Sequence, residues 1–284
     1  MKKITLLSLM ILAITLVNCK KDKKSSDNQQ NTPKPVPVTI NTVDNSSRPA
    51  NFTLKNLVKT IHETIDQTQM KSSLQTSSTT NYEYDTGRVL TKSTRTSGSD
   101  VYVDEYYYKD KTKGLLDSIV SKYNNTFSGV QIYTISNDKV QQIVKYDQNR
   151  QITDQITFTQ YNGDKVSTFV MNSNGTTYNG TLIYSGDNIS NFELDVPGIL
   201  SMSVDYTYDD KKNPMTNVKT IASPITVANN VLTAVNHITY QGSTQNATVT
   251  YNYNYNNDNY PIQSTENTNG NVSKTEEYIY EDKN

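Results

Sequence analysis

The sequence predicts an all-β protein: a long antiparallel meander of repeated hairpins, forming a curved sheet or partly closed barrel, with one N-terminal amphipathic helix packed on it. Three observations carry this expectation. A Tyr-x-Tyr pair followed by a polar turn recurs along the chain, as in Tyr82-Glu83-Tyr84 before "DTGR" and Tyr206-Thr207-Tyr208 before "DDKKNP". From Ser77 onward, short runs of Thr, Tyr, Val and Ile alternate with Gly, Asn and Asp clusters, the rhythm of strands and hairpin turns. Only 34% of the chain is apolar and tryptophan is absent, so a thick aliphatic core is excluded.

The elements follow in order. Lys2 and Lys3 precede the apolar run Ile4 to Val17. As a helix that run spans about 21 Å, short of a bilayer core of about 30 Å. Residues 1–18 therefore read as a cleaved secretory signal rather than a membrane span. The run ends in "LVNC", and Cys19 is the single cysteine of the protein, so a disulfide framework is excluded. "LVNCKKDKK" resembles the lipobox and first mature residues of bacterial lipoproteins, in the style of the Bacteroidota, although Asn18 departs from the usual small residue before the cysteine. The resemblance implies that Cys19 is acylated, with palmitate-type chains anchoring the mature protein to the envelope. The whole chain carries a net charge of −1; removing two lysines with the signal leaves 25 basic against 28 acidic groups. That balance offers no attraction for nucleic acid.

Residues 19–50 read as the lipidated cysteine and a flexible tether, stiffened by Pro33, Pro35 and Pro37. Residues 51–76 read as the amphipathic helix and a linker, because Leu54, Leu57, Val58, Ile61 and Ile65 fall at helical spacing. Residues 77–284 form the repetitive β-hairpin domain. Its turns come in two lengths. Four residues separate Tyr84 from Val89, Ile135 from Val140, Tyr161 from Val166 and Tyr184 from Ile189; six separate Tyr108 from Leu115, Tyr208 from Met215 and Tyr255 from Ile262. The even difference lets both types return the chain with the same face inward. Lys211 to Asn236 interrupts the rhythm and reads as a longer loop or an edge excursion. About 14 to 16 strands exceed what a twisted open sheet sustains, which favours closure, with the helix near an open end. The strands carry too many polar residues on both faces for a membrane-spanning porin.

"YEYDTGRVL", "YNGDKV", "YTYDDKKNP" and "YNNDNYP" resemble the repeats of Bacteroidota lipoproteins with a porin-like β domain of unknown function, and more distantly the YD repeats of Rhs-type wall proteins. The resemblance implies a fold and an envelope location, at the outer membrane on its periplasmic face or the cell surface. It implies no activity.

Candidate chemistry is sparse. His62 and His237 are far apart and read as structural, and no metal-ligand spacing, phosphate loop or nucleophile elbow occurs. The residues call for no catalytic site, no cofactor and no metal. Turn aspartates such as Asp85, Asp164, Asp187, Asp209 and Asp210 read as backbone acceptors, leaving a glycoside hydrolase with dispersed carboxylates as the least favoured alternative. Asp117-Ser118-Ile119 fits a bacterial O-glycosylation pattern, which makes Ser118 a candidate modification site. Tyr82, Tyr84, Tyr206, Tyr208, Tyr251, Tyr253 and Tyr255 pair on strand faces and are candidates for stacking on a ligand. The leading expectation is a lipid-anchored, non-enzymatic envelope protein that binds or scaffolds. Its partners would be the membrane through the lipid, and a glycan or an envelope protein; the alternative is a glycan- or small-ligand-binding surface lipoprotein using its tyrosine faces.

Overall fold

The computed structural model describes residues 57–66, 75–268 and 270–281. Cys19, the tether and the signal lie outside the described residues. The first strands are β1 (Val58–Asp66), β2 (Gln75–Tyr84), β3 (Leu90–Ser97), β4 (Asp100–Asp110), β5 (Leu115–Tyr123), β6 (Thr126–Ser136), β7 (Lys139–Asp147) and β8 (Ile152–Asn162). They continue as β9 (Lys165–Ser173), β10 (Thr176–Ser185), β11 (Asn188–Val196), β12 (Leu200–Lys212), β13 (Asn229–Tyr240), β14 (Ser243–Tyr255), β15 (Pro261–Thr268) and β16 (Asn271–Tyr280). Each pairs antiparallel with its sequence neighbours, and β1 pairs with β16 to close the barrel. Closure leaves no sheet edge unpaired.

The expected helix is corrected. Val58–Asp66 is strand β1, hydrogen-bonded to both β2 and β16, and β2 begins at Gln75; residues 51–56 and 67–74 of the 51–76 reading lie outside the described residues. The reason is a bulge. Val58 pairs with Tyr280 and Thr60 with Ile279, so Lys59 is an extra residue. Val58 and Ile61 then face inward three residues apart, a spacing that imitates a helical stripe.

The same irregularity recurs at every pairing at that end. Thr91, Asp117, Gln141, Ser167, Ser190, Leu232 and Ile262 are each the extra residue as an odd-numbered strand leaves its turn. Buried residues therefore stand three apart across each bulge, as in Leu116 and Ile119, Val140 and Ile143, Val166 and Phe169, and Ile189 and Phe192. The expectation that evenly spaced turns alone preserve the inward face is thus amended: a one-residue bulge sets the face after each turn.

The bulges explain the strand-end tyrosines. Between successive hairpins the ladder starts only beyond the bulge, for example at Lys92–Glu105 and Gln263–Glu277, leaving the carbonyl before it without a ladder partner on that side. A tyrosine hydroxyl takes that place. Tyr84 donates to Val58 O at 2.8 Å, Tyr108 to Leu90 O at 2.5 Å, Tyr280 to Pro261 O at 2.7 Å, and Tyr161 to Val140 O. Each acceptor is the residue just before the bulge. A carbonyl left buried and unpaired would cost about 1–3 kcal/mol.

Lysines knit the same rim together. Lys139 Nζ lies 5.2 Å from the Tyr161 ring centroid and donates to Gly163 O, and Lys165 Nζ lies 5.5 Å from the Tyr184 centroid and 2.8 Å from Asp187 Oδ1. Lys113 reaches Asp138 at 2.6 Å in the same forward sense. The repeated Tyr, Gly-Asp and Lys of "YNGDKV" is therefore a clip from one hairpin to the next. Tight turns use the positive φ of Gly163 (61°) and of the pair Asn137 (52°) and Asp138 (60°).

Inside, the two halves of the barrel differ. β8–β13 present Phe158, Phe169, Phe192, Leu194, Met202 and Ile238, all buried. Phe169 lies 6.4 Å from Phe158 and 6.2 Å from Phe192 in centroid distance, over Gly180, which supplies the floor for its ring. β14–β16 and β1–β4 present tyrosines and charged groups instead. Outward faces are largely polar, with single apolar residues such as Ile183, Ile262 and Ile279 exposed among them: Thr207 meets Thr233 at 2.6 Å, Thr239 meets Thr244 at 2.9 Å, and Asn254 donates to Gln263 at 2.9 Å.

Candidate functional site at the open end of the barrel

Residues 213–228, between β12 and β13, form a strap rather than an edge excursion. The strap docks on the turns of the opposite wall: Lys219 N donates to Arg88 O at 3.1 Å and Ile221 N to Gly114 O at 2.9 Å. Gly114, between β4 and β5, lies half-way round the sixteen-strand ring from the strap's own strands. Its φ is +71°, and a Cβ there would stand 1.9 Å from Lys219 O, so close docking requires glycine. Thr220 Oγ1 accepts from Leu90 N at 2.8 Å, Tyr133 donates to Ala222 O at 3.0 Å, and Asn217 donates to the Tyr260 hydroxyl at 2.7 Å. The strap thus crosses one mouth along a diameter. The role expected of a helix at the barrel end falls to irregular chain, satisfied by side-chain and turn hydrogen bonds.

The other end carries the charged groups. On β1, Glu63 faces inward with Ile61 and Ile65; on β3 and β16, Arg95, Lys274 and Glu276 do the same. Arg95 Nη2 lies 3.4 Å from Glu63 Oε1, while Ser78 Oγ accepts from Arg95 Nε at 3.2 Å and donates to Glu63 Oε1 at 3.3 Å. Lys274 Nζ stands 3.0 Å from Glu276 Oε1 and 3.8 Å from Glu63 Oε2. Glu276 Oε2 accepts from Tyr278 at 2.6 Å and Ser264 at 3.2 Å. The chain Arg95–Glu63–Lys274–Glu276–Tyr278 spans β3 to β16 and crosses the closing seam.

Electrostatics match this geometry. Burial pushes Lys274 down, but Glu276, Glu266 and Glu63 outweigh it and raise its pKa. Burial pushes Glu276 up, yet Lys274 and the Tyr278 and Ser264 hydroxyls hold it below the ordinary carboxylate value. Although inward-facing, these side chains touch solvent: Arg95 is 31% exposed, Glu63 23%, Lys274 22% and Glu276 20%. Among the described residues these part-exposed side chains form a charged pit at this end. Beside them Glu266 Oε1 accepts from Ser273 at 2.6 Å. The neighbouring Tyr251 hydroxyl is raised by burial and by the charge and hydrogen bond of Glu266.

The sequence candidates fall as follows. Tyr82, Tyr84, Tyr206, Tyr208, Tyr251, Tyr253 and Tyr255 all face inward, so any stacking surface they offer lies inside the barrel and not on its outer face. Burial raises the hydroxyls of Tyr84, Tyr206, Tyr208, Tyr251, Tyr253 and Tyr255, that of Tyr206 to about 12. Ser118 is 3% exposed in the folded chain and donates to Asp117 Oδ2 at 3.3 Å. His62 bonds Thr79 and His237 bonds Asn246, both at 2.9 Å across outward-facing strand pairs. Asp85 Oδ1 accepts from Gly87 N and Val89 N, and Asp209 Oδ1 from Lys211 N and Asn230 N, as turn acceptors do. Among the described residues no group of three or more His, Cys, Asp or Glu could hold a metal ion. Sequence reasoning missed the pit altogether. Its members come from six strands, and the one local signal was charge at inward parity, as at Lys274 and Glu276.

Two solved structures share this architecture. A porin-like protein from Bacteroides uniformis superposes with a TM-score of 0.56 at 14% identity, covering 81% of this chain and all of its own (100%). A porin-like protein from Bacteroides vulgatus gives 0.50 at 12% identity, covering 80% of this chain and 99% of its own. The fold is porin-like. At such identities the likeness extends to the fold alone. No known family profile matches the chain, and no curated protein matches it.

Proposed function

We propose that the protein is a lipid-anchored envelope protein whose barrel is a blind, non-conducting binding or scaffolding module rather than a pore. The observation that carries the reading is the 213–228 strap, pinned across one mouth by Arg88, Gly114, Tyr133 and Tyr260 while the other mouth opens on a charged pit. The polar outward faces support it as well. Ser203, Asp205, Thr207, His237, Thr239 and Asn246 would face hydrocarbon in a spanning barrel, at a cost the bilayer does not return. Anchoring then falls to acylated Cys19, and a multiply acylated cysteine holds without a spanning segment. The test has two arms. Cys19→Ala should abolish acyl labelling and release the protein from membranes; persistent labelling overturns the anchor. Purified protein added to a planar bilayer should give no conductance steps; reproducible single-channel steps overturn the non-conducting reading.

A further inference from the structure

We propose that the open mouth of the barrel binds an uncharged oligosaccharide, with Tyr123 as its stacking platform and Asp100 and Arg95 as the hydrogen-bonding flanks. This rests on the reading of the barrel as a blind binding module, whose ligand class and contact point it names. Three observations meet at this mouth. First, among the described residues Tyr123 and Phe127 are the two aromatic side chains that stand exposed, at 39% and 37%. Both flank the turn between β5 and β6, but on opposite faces. Tyr123 pairs with Tyr102 and Tyr102 with Arg95, so the three share the inward face of the charged pit. Phe127 pairs with Lys122 on the outer face.

Second, the Tyr123 ring is exposed and yet held in place. Its centroid lies 5.0 Å from that of Tyr102, and its hydroxyl donates to Asp100 Oδ1 at 2.7 Å. A ring fixed by a neighbouring ring and by a carboxylate at its tip has little rotamer freedom left to lose on binding. An open aromatic face attracts a flat apolar surface, and the C–H face of a pyranose with equatorial hydroxyls is such a surface.

Third, the polar groups beside the platform suit hydroxyls rather than a charge. Tyr123 occupies Asp100 Oδ1, and Oδ2 is the acceptor that remains. Arg95 gives Nε to Ser78 and Nη2 to Glu63, two of the N–H donors that a guanidinium carries in surplus. Sugar hydroxyls can donate to the carboxylate and accept from the guanidinium. The deeper charges are paired, Arg95 with Glu63 and Lys274 with Glu276. An ionic ligand would have to displace one of those partners, whereas a neutral one would not.

Cellotetraose, whose ring hydroxyls are all equatorial, is the probe, and a hyaluronan tetrasaccharide is its anionic counterpart. Titration calorimetry on the full lipidated protein in nanodiscs, against empty nanodiscs, should show saturable uptake of cellotetraose, with hyaluronan about tenfold weaker. Tyr123→Ala should lower the cellotetraose affinity about tenfold, the effect of losing one stacking face. Tyr123→Phe keeps the ring and should retain most of the affinity, while Asp100→Asn should weaken binding several-fold. Phe127→Ala, on the other side of the same turn, should leave it unchanged. No saturable uptake of cellotetraose, equal or tighter uptake of hyaluronan, full affinity in Tyr123→Ala, or an equal loss in Phe127→Ala overturns the proposal. Should Tyr123→Ala fail to fold, Asp100→Asn decides, and full affinity there overturns it as well. The same preparation is assayed for conductance, so a leaking barrel, which sinks the underlying reading, is told apart from a sealed barrel that ignores sugars.

Discussion

The Tyr108 hydroxyl lies 2.6 Å from Thr220 Oγ1 and 2.5 Å from the Leu90 carbonyl, so one strand-end tyrosine holds both the carbonyl before a bulge and the strap that seals the mouth. Its neighbour Tyr107 reaches only Glu105 on the outer face. Tyr108→Phe should therefore destabilise the barrel by about 1–3 kcal/mol, as expected for an orphaned buried acceptor. Tyr107→Phe should cost much less. Urea unfolding of the two variants checks the contrast, and equal costs would refute the double role.

Gly180 pairs with Phe169 across β9 and β10, and a Cβ at Gly180 would fall 2.1 Å from the Phe169 ring. Gly180→Ala should destabilise by about 1–3 kcal/mol through overpacking. Adding Phe169→Leu should recover part of that loss although each change alone is harmful. A double-mutant cycle with no coupling would show that the ring moves aside freely.

Acid should act on the seam. Glu276 is held below its ordinary value of 4.5, so its contribution is present above the unfolded-state pKa and is lost as pH falls through the folded value. Lys274 is raised above its ordinary 10.5, so its contribution is present below that value and fades only in strong alkali. Glu276→Gln should cost about 2–4 kcal/mol at neutral pH, and the gap from the parent should close as the pH drops below 4.5. Thermal melts across pH give the comparison.

Asp104 behaves in the opposite sense. Burial raises it above its ordinary 3.8 against the opposing pull of the Ser121 hydroxyl and Lys145. The folded chain therefore binds this proton more tightly than the unfolded one, and the ionised form weighs against folding at neutral pH. Asp104→Asn should raise the melting temperature at pH 7, with the advantage vanishing below the ordinary carboxylate value. A fall at pH 7 would mean that the ionised form is needed by Lys145.

Much of the architecture is legible in the chain because its causes are local. Strand-end tyrosines, Gly-Asp and Asn-Asp turns and the period of the hairpins mark sheet, turn and repeat, and the interruption after Lys211 marks the strap. The misreading over Val58, Ile61 and Ile65 has a physical origin as well. A bulge places inward residues three apart, and without the partner strand that spacing is indistinguishable from a helical turn. The burial of Ser118 was not legible for a related reason: it is set by the strands packed beside it, and no short motif encodes them.

By itself, then, the sequence determined a β meander of tyrosine-ended hairpins with turn chemistry at each return, since those preferences act within a few residues. The tertiary structure decided that the meander closes, that its interrupted loop becomes a diametric cap, and that Glu63, Arg95, Glu266, Lys274 and Glu276 meet at one open end. Closure joins β1 to β16, more than two hundred residues apart in sequence. A meeting of charges across such a seam follows from strand number and register, which only the assembled ring possesses.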